Sequence, residues 1–378
     1  MHALIKSNVI LIFLLIFYIF IYINIKSQIN INKVNNEINF DNYQLLLEKK
    51  IEETFKNKGY VNINKVEDQI NHKIKNYKQN KVKKNEINIG IQLDSNFTLQ
   101  AMITFASILD TQNDNTTIRF HIAVVLNFPI LEMLKIYSLK KKIRNDTEFN
   151  FYNASRVEKD LKGLNTKGPG AVAKLLLPQL LPDDIKKLLI LDTGDLIVLR
   201  DLTEQYNWEM KDYFYVGVPG GRVGKLSLIT KQIYKSYINT GSFLVNVTKV
   251  KYENMYDKFV KYKGYYNSSI GDQDLLNDVA IGKVGMYPIK FGFYSPFIDD
   301  NTQYVPVYNR IHPNIRKYFP HNLTEYLKLG YRPNIIHQWN GKWSKGSGLT
   351  IFRKIAQNYI RYAGIWEETC KKFPGYCI

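Results

Sequence analysis

The fold is decided by one stretch, which reads Lys187-Leu188-Leu189-Ile190-Leu191-Asp192-Thr193-Gly194-Asp195-Leu196-Ile197-Val198-Leu199-Arg200-Asp201-Leu202. Its apolar run before Asp192 is typical of a strand buried in a parallel sheet. Thr193-Gly194 is a pair of residues typical of a turn, so Asp195 places a second carboxylate just past the strand end. Two such carboxylates cost free energy unless a positive charge lies beside them, and a hard divalent cation is a natural candidate. An Asx-type turn that caps the following residues explains the same pattern without a ligand.

Strands and helices alternate around this stretch. Apolar runs and turn residues predict strands over residues 87–93, 120–126, 148–152, 188–191, 213–218, 242–247 and 334–337. Periodic segments predict helices over residues 97–109, 129–143, 171–181, 201–206, 252–263, 275–279 and 350–363. This alternation predicts an α/β fold with a mostly parallel central sheet and right-handed crossovers. Ligands of such sheets bind at the carboxyl ends of the strands.

Length, net charge and motif content limit the classes of function that the chain can have. The chain has 378 residues, enough for one large α/β domain with additions, and a net charge of +18. Its sequence contains no helix-turn-helix, zinc-finger or RNA-recognition pattern, so we do not expect nucleic acid as a partner. A positive surface also suits a doubly charged nucleotide ligand.

The N-terminus predicts a membrane anchor. Residues 9–23 are an unbroken apolar and aromatic run that Ile25 extends, with Lys6 before it and Lys26 after it. This length is near the lower limit of about 17 residues for a bilayer span, and no small-residue cleavage site follows. We therefore expect a retained signal anchor and a single-pass type II protein of the Golgi or endoplasmic reticulum, with its catalytic domain in the lumen. Glycosylation sequons agree with that orientation and begin at Asn96, Asn115, Asn145, Asn153, Asn246, Asn267 and Asn322.

The two cysteines, Cys370 and Cys377, lie near the C-terminus. Their spacing is too wide for a redox Cys-x-x-Cys motif and the segment lacks further zinc ligands. A small disulfide loop is expected in an oxidising compartment, and two free thiols on a tail are the alternative.

We divide the chain into five segments. These are a short cytosolic tail (1–8), the anchor (9–25), a stem or linker (26–85), the catalytic domain (86–348), and a C-terminal helix with the cysteine-containing tail (349–378). Within the stem, apolar residues recur at helical spacing from Tyr43 to Phe55. This stripe suits either packing or a homodimer formed through the stem.

Four further motifs carry polar residues to element ends. They are Asp94-Ser95-Asn96-Phe97 after the first strand, Asn239-Thr240-Gly241 before a later one, Asp272-Gln273 at a helix start, and His337 before the loop 338–346. Each also has an ordinary structural explanation. Phe97 suits a core, Asn239 suits a turn, Asp272 suits a helix N-cap, and a histidine in a strand is commonly structural.

Taken in order, with the carboxylate strand and the preceding Leu177–Pro182 segment, these motifs resemble the retaining nucleotide-sugar glycosyltransferases of family 8. The resemblance covers roughly residues 86–346. It implies a Rossmann-like nucleotide-binding domain of the GT-A type, with a mostly parallel central sheet. It also implies a UDP-sugar donor, a glycan or glycoprotein acceptor, and Mn²⁺ or Mg²⁺ as cofactor.

The resemblance also implies a role for each matching residue. Metal binding falls to Asp192, Asp195 and His337, and the reacting face of the sugar to Asp272 and Gln273. Donor binding falls to Asp94, Asn96 and Phe97 at the uridine, Lys174 nearby, Asn239, Thr240 and Gly241 at the sugar, and Lys342 or Lys345 at the diphosphate.

The sequence departs from the family pattern at two points. Two residues, rather than one, separate Asp192 from Asp195, and Gly341 lies four rather than three residues after His337. Gly194 can accommodate the additional residue because glycine tolerates positive φ. The departures keep open the alternative of a catalytically inactive member that binds nucleotide or sugar. The residues around Asp192 and His337 are similar to those of the xylosyltransferase-like branch of the family. This similarity favours UDP-xylose as donor, ahead of UDP-glucose or UDP-galactose.

Overall fold

The structure is a computed structural model that describes residues 45–72, 85–125, 127–164, 169–194, 196–266, 271–294 and 334–337, and the single positions 361, 367 and 371. The chain divides into two compact units, Met1–Glu53 and Thr54–Ile378, and both sheets described below lie in the second. Several predicted features lie outside the described residues, namely the anchor 9–25, the helix 350–363, Asp195, Lys342, Lys345, Cys370 and Cys377. Within the described ranges, no helix is both long and apolar enough to cross a bilayer.

The strands of the described chain form two sheets. In chain order they are β1 Tyr60–Asn62, β2 Asn85–Leu93, β3 Thr116–Val124, β4 Glu148–Asn153, β5 Lys187–Leu191, β6 Leu196–Val198, β7 Tyr215–Pro219, β8 Ile238–Asn246, β9 Val284–Met286, β10 Phe293–Tyr294 and β11 Ile335–His337.

Helices connect most of these strands. They are α1 over residues 45–58, α2 Ile63–His72, α3 Thr98–Thr111, α4 Ile130–Ile143, α5 Arg156–Asp160, α6 Pro169–Leu180, α7 Thr203–Tyr206, α8 Val247–Tyr252, α9 Met255–Tyr262 and α10 Gly271–Val279. Single 3₁₀ turns occur at Ser95–Phe97, Lys263–Tyr265 and Ile289–Phe291.

The main sheet has the strand order β1-β4-β3-β2-β5-β8-β7-β9. Strands β4, β3, β2 and β5 run parallel, whereas β8 runs antiparallel to both β5 and β7. The fold is therefore mixed α/β with a central sheet, and the predicted parallel arrangement holds for its β4-to-β5 half. Strand order reverses between β2 and β5, which is where open α/β sheets bind their ligands.

The second sheet is small, with the order β10-β11-β6. Strand β6 begins directly after the Asp192–Asp195 turn and pairs antiparallel with β11, so that His337 lies opposite Leu196. The last residue of the predicted histidine strand is thereby fixed next to the carboxylate turn.

Two predicted segments differ in the structure. Residues 60–72, assigned to the stem, instead form β1 and α2, and β1 pairs with β4 as the edge of the main sheet. The predicted helix 252–263 begins later, as α9 at Met255, while Tyr252 is the last residue of α8. Asn254 lies between the two helices and has a left-handed φ of 48°. Asparagine adopts that conformation more readily than most residues, so it separates two helices without a glycine.

The central strands also bury a polar pair. The ring of His121 in β3 lies 2.9 Å from Asn88 Oδ1 and 3.0 Å from the Tyr152 hydroxyl. Asn88 donates its own amide to the Tyr206 hydroxyl, so its oxygen faces His121 and the ring donates through Nε2. Burial, and then the charge of Arg119, lower the pKa of His121 from 6.5 to about 3.

The buried His121 should make the free energy of unfolding sensitive to acid. Above pH 6.5 the ring is neutral in folded and unfolded chains alike, whereas between pH 6.5 and about 3 only the unfolded chain takes up the proton. His121 should therefore lower the free energy of unfolding by at most about 1.4 kcal/mol per pH unit as pH falls through that window. We expect His121→Gln to show a shallower decline between pH 6.5 and 4.5 in denaturant titrations. Equal slopes for the variant and the wild type would contradict this assignment.

Candidate active site

The candidate site lies where β2 and β5 end side by side. Asp94 follows β2 and Asp192 follows β5, and these two strands are adjacent and parallel. Carboxyl ends of parallel strands share one edge of the sheet, so the topology brings the first two predicted motifs together.

Asp94 shapes the turn after β2. It is 5% exposed, and its Oδ1 accepts a hydrogen bond from the Asn96 backbone N–H at 2.9 Å, which caps the 3₁₀ turn Ser95–Phe97. Phe97 is 40% exposed at the end of this turn. It is thus a surface aromatic beside the strand edge, and the alternative of an ordinary core phenylalanine does not apply.

Strand β8 brings a third motif to the same edge. Asn239, Thr240 and Gly241 lie within β8, whereas the sequence predicted a turn before the strand. Because β8 runs antiparallel to β5, its first residues extend past the end of β5 and reach Asp192. The Asp192 N–H donates to the Gly241 carbonyl at 2.8 Å.

A buried ammonium group connects the strand end to the helix α10. Lys174 Nζ lies 2.9 Å from Asp192 Oδ1, 3.0 Å from Asp272 Oδ2 and 3.0 Å from the Thr240 carbonyl. Its side chain is 3% exposed. Burial alone would lower the pKa of Lys174, but the carboxylates of Asp192 and Asp272 outweigh it and raise that pKa. Lys174 therefore stays charged and gives its three N–H bonds to the protein, and a direct contact with a donor remains a prediction.

Gln92 is a site residue that the motif search missed. Its Nε2 donates to Asp192 Oδ1, and its backbone carbonyl accepts a hydrogen bond from Thr193 Oγ1 at 3.0 Å. The sequence held a signal for it, because Gln92 is a polar residue two positions before Asp94 in the otherwise apolar second half of the strand. Side chains two apart in a strand share a face, so Gln92 and Asp94 point to the same side.

The turn after Asp192 has the conformation expected from its glycine. Gly194 has a φ of 86°, and a Cβ placed on it would lie 3.0 Å from Gln100 Cβ. A side chain here would be strained by its backbone and also crowded by α3. Gly194 thus has the positive φ that was expected of it in this turn.

His337 adjoins the same strand edge from the small sheet. It is 5% exposed, and a Cβ placed on Gly241 would lie 2.2 Å from its Cε1. Gly241 therefore contacts His337 on one side and accepts a hydrogen bond from Asp192 on the other. Any residue larger than glycine at position 241 would displace the imidazole ring.

These residues suit a divalent cation. Carboxylate oxygen and imidazole nitrogen are donors that Mn²⁺ accepts, and Mg²⁺ favours the oxygens. In addition, Gln92 Oε1 and Gln100 Oε1 are buried without a hydrogen-bond partner among the described residues. Buried acceptors of this kind, here beside Asp192 and Gly194, are usually satisfied by a water molecule or a cation. Among the described residues no group of three acidic, histidine or cysteine side chains is assembled, and the predicted ligand Asp195 lies outside them.

Helix α10 supplies the remaining predicted residues. Asp272 and Gln273 are each 9% exposed in its first turn. Asp272 Oδ2 accepts from Thr240 Oγ1 at 3.2 Å, and Gln273 Oε1 accepts from Asn239 Nδ2 at 2.8 Å and from the Thr240 N–H at 3.3 Å. The Gln273 backbone carbonyl accepts from Asn277 Nδ2 at 2.8 Å. The structure thus joins β5, β8, α6 and α10 in one polar cluster.

Removing the ammonium group should destabilise this cluster. Lys174→Met would leave Asp192 and Asp272 facing each other without a cation, which typically costs about 3–5 kcal/mol when a buried pair is broken. Lys186→Met, at an exposed lysine of similar chain position, should change stability by less than about 0.5 kcal/mol. Denaturant unfolding of both variants tests the difference, and equal stabilities would show that the Lys174 cluster is not a structural constraint.

Comparison with known proteins agrees with this geometry. Residues 88–314, more than half of the chain, match the sequence profile described as Glycosyl transferase family 8. A protein of Haemophilus influenzae described as a glycosyltransferase is 28% identical over 120 residues, which span 29% of this chain and 35% of that protein. This chain therefore matches about a third of that relative's length.

Two solved structures show the same fold. The apo structure of the bifunctional glycosyltransferase WbbM superposes with a TM-score of 0.57 at 17% identity, over 78% of this chain and 53% of that one. The galactosyltransferase LgtC, in complex with donor and acceptor sugar analogues, gives 0.54 at 19% identity, over 74% of this chain and 95% of that one. These structures share the fold, and the family profile over residues 88–314 shows that this chain belongs to glycosyltransferase family 8.

Proposed function

We propose that the chain transfers a hexose or pentose from a UDP-sugar to a glycan or glycoprotein acceptor, with retention of anomeric configuration and dependence on Mn²⁺ or Mg²⁺. The observation that carries the proposal is the cluster of Asp192, Lys174 and Asp272 beside the Asp94 turn. It places a candidate metal ligand, a candidate base pocket and a buried carboxylate at one edge of the sheet.

The uridine would bind at the Asp94–Phe97 turn. Phe97 presents an exposed ring on which a base can stack, and stacking on an aromatic side chain is worth about 1–3 kcal/mol. Asp94 is held by its bond to the Asn96 N–H, so its carboxylate is already oriented to accept hydrogen bonds from uracil. Asn96 is exposed at the same turn and is placed for the ribose.

The diphosphate would lie over Asp192 and His337. A bound Mn²⁺ or Mg²⁺ supplies Lewis-acid stabilisation of the charge that the diphosphate gains as the sugar bond breaks. Asp192, Asp195 and His337 would hold that ion, and Lys342 or Lys345 would add a cationic contact. The chain itself contributes rigidity, since Lys174 and Gln92 fix one oxygen of Asp192 from two sides.

The reacting face of the sugar would meet Asp272. Its Oδ2 is fixed by Lys174 and Thr240, while its Oδ1 receives no hydrogen bond from a described residue. A fixed, buried carboxylate stabilises positive charge at the anomeric carbon without reorganising in the transition state. Asn239, which donates to Gln273, would contact the sugar hydroxyls.

We propose UDP-xylose as the preferred donor, followed by UDP-glucose and UDP-galactose. The support is the similarity of the sequence around Asp192 and His337 to the xylosyltransferase-like branch of the family. The full chain should release UDP from one of these donors when Mn²⁺ is present, and that donor should raise the melting temperature most. Absence of both UDP binding and sugar release for every UDP-sugar would overturn the proposed function.

A matched pair of variants locates the activity. Asp192→Asn should lower the rate of UDP release by about 100-fold or more. The substitution weakens a candidate metal ligand and removes the negative charge that pairs with Lys174. Asp212→Asn removes the same charge from an exposed carboxylate that pairs with Lys249 and should leave the rate unchanged. Equal rates for the two variants would place the reaction elsewhere.

A catalytically inactive member that binds nucleotide or sugar is the second candidate. The specific observation in its favour is that Asp192 Oδ1 is already engaged by Lys174 and Gln92, in a turn with one more residue than the family pattern. Manganese-dependent UDP binding without release of sugar to water or acceptor would select this candidate.

We also propose that the chain is a type II protein of the Golgi or endoplasmic reticulum with a lumenal catalytic domain. Its sequons at Asn115, Asn145 and Asn153 are exposed in the structure, as glycan attachment requires. Expressed in a eukaryotic cell, the chain should lose apparent mass on glycosidase treatment, and changing all three asparagines to glutamine should reduce that shift. A chain that carries no glycan in that experiment would contradict the proposed orientation.

A further inference from the structure

A chain of hydrogen bonds behind the candidate site fixes the orientation of Gln273. Its Oε1 faces the Thr240 N–H and Asn239 Nδ2, and its Nε2 donates to the Tyr237 hydroxyl at 3.1 Å. The Tyr237 hydroxyl in turn donates to Asp274 Oδ1. The same carboxylate oxygen accepts from Arg222 Nε at 2.8 Å.

The direction of every bond in this chain is determined. The Thr240 and Gly241 backbone N–H groups can only donate, so Gln273 Oε1 and Asn239 Oδ1 must accept. At the other end the Asp274 carboxylate, with Arg222 beside it, can only accept. Tyr237 must therefore give its proton to Asp274 and accept from Gln273 Nε2. Burial, and then the charge of Asp274, raise the pKa of Tyr237, so the hydroxyl keeps that proton.

From this geometry we infer that Tyr237 is a positioning residue for the transfer reaction, acting through Gln273 on Asn239, Thr240 and Asp272. The inference rests on the proposed function. Gln273 holds the Thr240 backbone, and the Thr240 hydroxyl donates to Asp272 Oδ2. Loss of the Tyr237 hydroxyl leaves Gln273 Nε2 without its acceptor, so the amide is free to rotate away from the sugar site.

The same helix contains a matched control. One turn further along α10, Asp278 accepts from the Tyr234 hydroxyl, the Tyr266 hydroxyl and the Leu228 N–H. Tyr234 is also buried, lies on the same chain segment, and packs edge-on against the Tyr237 ring. Its hydroxyl bonds to Asp278 and not to Gln273. Tyr234→Phe therefore removes a buried tyrosine–aspartate bond without changing the contacts of Gln273.

The kinetic test compares Tyr237→Phe with Tyr234→Phe in the full chain. Loss of one positioning hydrogen bond should lower kcat by about 3- to 10-fold, with the KM for the UDP-sugar within about two-fold of wild type. Tyr234→Phe should keep the wild-type kcat. In a Gln273→Ala background, Tyr237→Phe should have no further effect, since the residue through which it acts is absent. Equal kcat values for the two tyrosine variants, or additive losses in the double variant, would overturn the inference.

Crystal structures of the two variants provide a test that does not need turnover. In Tyr237→Phe the Gln273 side chain should have left Asn239 Nδ2 and the Thr240 N–H, whereas in Tyr234→Phe it should keep both contacts. An unmoved Gln273 in Tyr237→Phe overturns the positioning role even if the wild-type chain shows no transfer. Absence of wild-type activity with a displaced Gln273 would instead count only against the proposed function. Because both variants keep their rings, matching melting temperatures confirm that a shared loss of packing is not responsible.

Discussion

The site depends on one interaction, the contact of the Lys174 ammonium group with two carboxylates. Asp192 comes from the end of a central strand and Asp272 from the start of a helix about eighty residues later in the chain. The lysine is the most deeply buried member of the cluster, with a side chain that is 3% exposed, and a buried charge needs a partner of opposite sign. The lysine therefore does more than hold α6 against the sheet. It keeps the strand end and the helix start at a fixed separation beside the proposed donor site.

The sequence identified the acidic residues of this cluster because each follows a recognisable element boundary. Asp94 and Asp192 end apolar runs, and Asp272 begins a helix, so their positions could be inferred from local pattern alone. Tyr237 was missed for a physical reason. Its role follows from the packing of α10 beside β8, which brings together residues that are far apart in the sequence. Spacing within one segment contains no information about such pairing.

Two errors of the sequence prediction have the same origin. The segment 60–62 is too short to show an alternating hydrophobic pattern, yet it pairs with β4 and extends the main sheet. The Asn239-Thr240-Gly241 segment has turn composition, but pairing with its neighbours makes it part of β8. In both cases hydrogen bonding to a distant strand overrides local preference. The candidate site is consequently better predicted at the ends of its strands than along their lengths.

The absence of a side chain on Gly241 has a mechanical consequence. This residue is where the small sheet, through His337, meets the main sheet, through Asp192, with no side chain between them. At Gly241 no side chain other than the imidazole ring separates the two sheets. A change in the angle between them would alter the spacing of Asp192 and His337, two candidate metal ligands. Selectivity for an ion of a given radius would then be a property of how two sheets pack, rather than of the ligands alone.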